Sequence, residues 1–235
     1  MTFFTDIGTK FYNSFLKYGD LWKTVLGRGL VNTLLITMAA LAMGLVLGMV
    51  FGVVKVLPRG NMFTAALKKF AGFYTTVFRG TPVVVQALIF YYGVFAPMHV
   101  DALPVAFLVF GLNSGAYMTE SIRSGILAVD IGQMEAGRSL GLPYGATMMK
   151  IIMPQAFKNI LPALGNEMIA LLKDTSIVSF ITVTDVTRAV FNIASRNYEF
   201  IITLLTLGLI YLIIVMIMTF FVGKAERWLR KSDHR

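Results

Sequence analysis

The sequence predicts an all-α integral membrane protein with five transmembrane helices. The first ground is composition: 57% of the residues are hydrophobic, 14% are charged and mean hydropathy is +0.73. That is too apolar for a soluble domain, whose surface must be wetted. The second is segregation, because the run from Gly29 to Val54 carries no charge and exceeds the ~20 residues that cross a hydrocarbon core. The third is that lysines and arginines gather in short runs flanking the apolar segments, as in membrane proteins with a cationic inner side. The net charge of +9 therefore belongs to a membrane topology and not to a nucleic-acid surface.

Residues 1–28 come first. Phe11, Phe15, Trp22, Val25 and Leu26 are mixed with Lys10, Lys17, Asp20 and Lys23, which suits a segment lying along the interface. "MTFFTDIGTKFYNSFLKYGD" lacks a basic start followed by a continuous apolar core, so it does not read as a cleavable signal and the first span does the targeting. That span is Gly29 to Val54, bracketed by Arg28 and Lys55. Its glycines Gly44, Gly48 and Gly52 recur every four residues, either as a smooth stripe for close helix approach or as glycines tolerated in lipid.

The second span is expected from Pro82 to Phe95, with a helical run from Thr64 contributing and a bend at Gly80 to Pro82. A third runs from Pro104 to Thr119. The mostly polar residues from Glu120 to Asn159 follow, then a fourth span from Ile160 to Thr182 that contains Asn166, Glu167, Lys173 and Asp174. A polar connector, Asp185 to Glu199, leads to the fifth span, Phe200 to Val222. The membrane domain is thus residues 29–223, with a loop at about 121–159 and a basic tail at 224–235.

Five spans place the termini on opposite sides. Lys55, Arg59, Lys68, Lys69 and Arg79 share one side with Arg123, Arg138, Lys150 and Lys158, and with Lys224, Arg227, Arg230, Lys231 and Arg235. That side is the expected cytoplasm, leaving the N-terminus outside, although Arg188, Arg196 and the N-terminal cations dilute the bias. Catalytic groups are scarce. There is no cysteine, and His99 and His234 are far apart in the chain, which leaves neither thiolate chemistry nor a metal site.

The loop holds the most informative stretch, "EAGRSLGLPYGATMMKIIMP", Glu135 to Pro154. Ile131 to Leu140 is expected to be a helix ended by Gly141 in the left-handed conformation, and Pro143 suits the first turn of a second helix. There Tyr144, Met148, Ile151 and Ile152 share a face until Pro154 breaks the helix. Helices this short are marginal alone, so a surface must pack against them.

Glu135, Ala136, Gly137, Gly141, Ile151, Met153 and Pro154 resemble, at identical spacing, the EAA loop of ABC-importer permeases, E-A-A-x3-G-x9-I-x-L-P. Gly137 departs from the second alanine and Met153 from the leucine. "RGTP" at Arg79 to Pro82 with Gln86, "NSGAYMTESIRSGI" from Asn113, "PQAFKNILPALGNE" from Pro154 and "LKDTSIVS" from Leu172 are similar to blocks of polar amino-acid permeases of the type I importer architecture. The resemblance implies a bacterial inner-membrane subunit that pairs with a second copy or a paralogue and docks two ATPase subunits that bind ATP and Mg. It also implies receipt of an amino acid from an extracytoplasmic binding protein. Within the loop it implies a coupling helix, with Glu135, Ala136, Gly137, Gly141, Leu142, Pro143 and Tyr144 at the ATPase contact. The chain has no G-x-x-x-x-G-K-[ST] phosphate loop, in keeping with a motor encoded elsewhere and a subunit that is not itself an enzyme.

Charges inside a span cost about 2.5 to 3.5 kcal/mol each, so they face protein or a wet cavity. With Ile160 as the cytoplasmic entry, Glu167 sits roughly 10 Å and Asp174 roughly 21 Å deep at ~1.5 Å per residue. Asn166 and Lys173 occupy the adjoining stripe, and Asn113, Tyr117 and Glu120 share a face of the third span. Either Lys173 neutralises these acids and locks helices together, or the excess acidic charge lines the path and meets the cargo's ammonium group, with Asn113, Tyr117, Glu167 and Asp174 touching the amino acid and Glu120, Asn166 and Lys173 as further candidates for the path. A secondary transporter driven by an ion gradient is the competing class. Such folds are built from repeated halves, and the sequence shows no convincing internal repeat. Arginine, glutamine, histidine and cystine all fit as cargo.

Overall fold

The computed structural model describes residues 2–17, 21–58 and 60–230. Asp20, Arg59, Lys231, His234 and Arg235, invoked above, lie outside the described residues. Those residues are helical almost throughout: α1 Thr2–Phe11, α2 Leu30–Val56, α3 Met62–Gly80, α4 Val83–Leu88, α5 Ala102–Leu127, α6 Ile131–Ser139, α7 Tyr144–Thr147, α8 Met153–Asp174, α9 Val186–Asn197 and α10 Phe200–Arg230. Wider π-helical turns extend α1 at Tyr12–Leu16, lead into α2 at Leu21–Gly29, follow α4 at Ile89–Phe95 and join α7 to α8 at Met148–Ile152.

Three helical runs are long and apolar enough to cross a membrane, Leu21–Val56, Ala102–Leu127 and Phe200–Trp228. Two bent pairs, Met62–Gly80 with Val83–Met98 and Tyr144–Ile181 with Val186–Asn197, raise the number to five if each is one span. The third and fifth spans thus run further than their expected ends at Thr119 and Val222, and Glu120 lies inside α5 instead of opening a loop.

The chain divides into two compact units, and α2, α5, α8 and α10 contribute to both. The first comprises residues 1–39, 83–110 and 169–218. Its core joins Phe15 and Val25 to Val186, Ala189, Val190 and Ile193 of α9. The sequence reading is corrected twice here: the connector from Asp185 to Glu199 holds the amphipathic helix α9, and residues 1–28 are not simply interfacial, because Phe15 and Val25 are fully buried in protein. The reason is one face of α9, apolar at positions 186, 189, 190 and 193, which needs cover. Asp185 caps that helix, accepting hydrogen bonds from the Arg188 N–H at 2.8 Å and the Thr187 N–H at 3.0 Å.

The second unit comprises residues 40–82, 111–168 and 219–235. The glycine stripe of α2 meets α5 directly. A Cβ on Gly48 would sit 2.5 Å from the Met118 Cβ and one on Gly52 2.8 Å from the Ile122 Cγ2, while one on Gly44 would overlap Ser114. Of the two readings of the stripe, the structure selects close approach. Polar repairs follow wherever a helix ends or breaks. Pro82 has no N–H to offer the Phe78 carbonyl four residues back, and the Asn113 amide donates to it instead at 3.1 Å. Thr81 leaves the helix in an extended conformation, and its hydroxyl donates to the Val77 carbonyl at 2.8 Å. At the end of α2, the Lys68 ammonium serves the Leu57 carbonyl.

Candidate functional site

Two features of the second unit gather the residues singled out by sequence. The first is the hairpin of α6 and α7. Asp130 starts α6 by accepting the Gly132 N–H at 2.7 Å. Gly141, at φ +84°, ends it with both bonds of a Schellman cap: the Gly141 N–H donates to the Arg138 carbonyl at 3.0 Å and the Leu142 N–H to the Gly137 carbonyl at 3.1 Å. Pro143 then sits extended at the N-cap of α7, one position before the turn expected of it.

Met148 and Ile152 are buried with Ile122, Ile126, Ala156 and Ile160, and Tyr144, Ile151 and Met153 pack beside them. The Tyr144 hydroxyl faces the Val56 carbonyl at 3.5 Å. Tyr144 is half-buried, with its hydroxyl turned toward its own subunit. Pro154 does not break the chain: the Met153 N–H reaches back to the Met148 carbonyl in a π-helical turn, and α8 starts without interruption. Glu135, Ala136, Gly141 and Pro143 are exposed, Leu142 is half-buried, and Leu140, which sequence reasoning missed, is 82% exposed at the tip.

Gly137 is buried where α6 crosses α7. A Cβ there would come within 2.5 Å of the Thr147 Cγ2, which explains why glycine replaces the second alanine of the pattern. Gly137→Ala is expected to lower ATP-driven uptake several-fold through overpacking of about 1–3 kcal/mol. Adding Thr147→Ser, which removes the obstructing methyl, should restore it; uptake assays on the single and double variants check both.

The second feature is a cleft of about 450 Å³ whose polar lining is Arg79, Tyr117, Glu120, Ser121, Ser124 and Asn159. Tyr117 lines it, with the Arg79 guanidinium carbon 5.2 Å from its ring centroid. Glu120 also lines it, but its carboxylate is engaged on one oxygen by Lys55 and on the other by Arg123 at 2.8 Å, while Lys55 also donates to the Thr75 hydroxyl at 2.8 Å. The Asn113 amide is committed to the Phe78 carbonyl. Asn166 and Glu167 do not line the cleft, and Lys173 and Asp174, both exposed, belong to the other unit. Ser121 and Ser124 were legible in principle, four and seven residues beyond Tyr117 on one helix face.

Residues 44–231 match the family of the binding-protein-dependent transport system inner membrane component. The chain belongs to that family. This permease is similar to the arginine transport system permease protein ArtQ of Bacillus subtilis (strain 168), 42% identical over 87% of this chain and 92% of that one. It is also similar to a putative glutamine transport system permease protein GlnP of Rickettsia bellii (strain RML369-C), 37% identical over 84% and 91% of the two chains. Among solved structures, the crystal structure of an amino acid ABC transporter with histidines matches at TM-score 0.77 and 37% identity, covering 85% of this chain and 91% of that one. The permease is the inner-membrane, multi-pass component of an ATP-driven importer and not an enzyme; ATP hydrolysis lies in separate subunits, and the assembly includes a binding protein.

Proposed function

We propose that this permease carries an amino acid and is driven through the α6–α7 hairpin, which seats in a groove on each ATPase subunit. The observation that carries the reading is a short hairpin, capped at both bends and packed on its own subunit along one face, that leaves Leu140 bare at its tip beside exposed Glu135 and Ala136. An apolar tip of this kind in the aqueous phase calls for a covering surface. In this reading Leu140, Glu135, Ala136, Gly141, Leu142 and Pro143 form the contact, Gly137 sets the crossing, and Tyr144 holds the hairpin to the end of α2. Closure of two ATPases on ATP and Mg then rocks the membrane helices between access states.

Five spans, the N-terminus outside and the C-terminus in the cytoplasm complete the topology, with a second copy or paralogue of this permease and two ATPases in the assembly. The cargo passes along α5 at Tyr117. The amino acids named for the relatives, arginine and glutamine, are the first to assay.

The chain has no cysteine, so Leu140→Cys is a clean reporter. Its labelling by a membrane-impermeant maleimide, added to inverted vesicles, is expected to be fast in the permease alone and strongly slowed when the ATPase is co-assembled. Equal labelling in both preparations would remove the hairpin from the interface.

A further inference from the structure

We propose that Arg79 is the anchor for the α-carboxylate of the amino acid in transit, which binds in the cleft beside Tyr117. The proposal rests on the reading that the cargo is an amino acid moving along α5. Every α-amino acid carries that carboxylate whatever its side chain, so the path needs an oxyanion-binding group independent of specificity. Arginine presents a planar fork of donors matched to a carboxylate. The Arg79 guanidinium carbon lies 5.2 Å from the Tyr117 ring centroid, a cation–π contact that places the donors of the fork beside the ring.

The charges around the cleft favour an anion at this end. Glu120 is the one carboxylate in its lining among the described residues, and it is already held by Lys55 and Arg123. Arg79 forms no ion pair with a carboxylate among the described residues. With Lys55 and Arg123 neutralising Glu120 from behind the lining, Arg79 is the cation of the wall left to meet an anion, whereas Glu167 and Asp174, the acids expected to meet the ammonium group, do not line this cleft. Ser121, Ser124 and Asn159 add hydroxyl and amide groups for the rest of the zwitterion, and a volume of about 450 Å³ falls within the ~300–1,000 Å³ of small-ligand pockets. A lipid phosphate is the other source of an oxyanion; Ser121, Ser124 and Asn159 beside Arg79 offer further partners to the amino group of a zwitterion, which a lipid phosphate alone does not use.

The test uses the permease–ATPase complex in nanodiscs without the binding protein. The probes are radiolabelled L-arginine and L-glutamine and their decarboxylated amines, agmatine and 4-aminobutanamide. The wild type is expected to bind at least one acid ten-fold or more tighter than its amine. Arg79→Gln should lose at least ten-fold for that acid and nothing for the amine, with Arg79→Lys between. Unchanged acid binding in Arg79→Gln, no acid preference in the wild type, or no binding of either acid overturns the proposal. So does a loss reproduced in the wild type by replacing phosphatidylglycerol with phosphatidylcholine, which would make Arg79 a headgroup anchor. Uptake by the wild-type importer separates the two levels: uptake with unaltered Arg79→Gln binding sinks the anchor alone, and absence of amino-acid uptake sinks the underlying reading.

Discussion

Replacing Gly141 with valine is expected to abolish ATP-driven uptake while the permease still inserts at its normal level. At φ +84° a β-branched side chain collides with its own backbone, at a cost of about 1–3 kcal/mol. The Schellman bonds to the Arg138 and Gly137 carbonyls then fail together, and the α6–α7 angle is lost. No atom lies within 4 Å of the position a Cβ would take, so the defect is conformational and not a clash with a neighbour. Gly141→Asn, which tolerates the left-handed region, should keep a substantial part of the activity. Uptake and ATPase pull-down on both variants check this, and normal uptake by Gly141→Val would show that the bend is dispensable.

Removing the carboxylate of Glu120 should harm stability more than affinity. Glu120→Ala strips Lys55 and Arg123 of their shared anion and leaves Lys55, whose side chain is 16% exposed, as an uncompensated charge among helices. Breaking a fully buried pair costs about 3–5 kcal/mol; partial exposure here brings the expectation to about 2 kcal/mol. A lowered melting temperature in detergent, with the apparent affinity for cargo unchanged in the surviving protein, is the expected result. The double variant Lys55→Met with Glu120→Ala should recover most of the loss, since an apolar pair carries no desolvation penalty. A large rise in apparent KM with normal melting would instead make Glu120 a direct cargo contact.

Helices α2, α5 and α10 were legible in the sequence because uninterrupted apolar runs report membrane helices directly. Their polar extensions were not, since Glu120 and Arg123 look like the end of a span until Lys55 and Thr75 are seen beside Glu120 in space. Helix α9 was hidden because a polar outer face with Arg188, Asn192 and Arg196 resembles a connector, although the i, i+3, i+4, i+7 spacing of Val186, Ala189, Val190 and Ile193 carried the signal. The hairpin was readable because caps are local: Gly141 announces its own dihedral angle. The cleft was not, because it depends on which faces of α3, α5 and α8 meet. Depth along one helix suggested Glu167 and Asp174 as neighbours of Tyr117, but the wall beside Tyr117 is built from Arg79 and Asn159, distant in sequence.

The π-helical turn at Met148–Ile152 removes the slack that Pro154 would otherwise introduce. The Met153 N–H bonds the Met148 carbonyl just before Pro154, which itself donates nothing, so the helical path from Tyr144 into α8 continues with a single donor missing, as a shaft with one bolt left out still turns as a piece. If the hairpin is the proposed contact with the ATPase, a tilt imposed on it is expected to pass into α8 without a loop between them to absorb it.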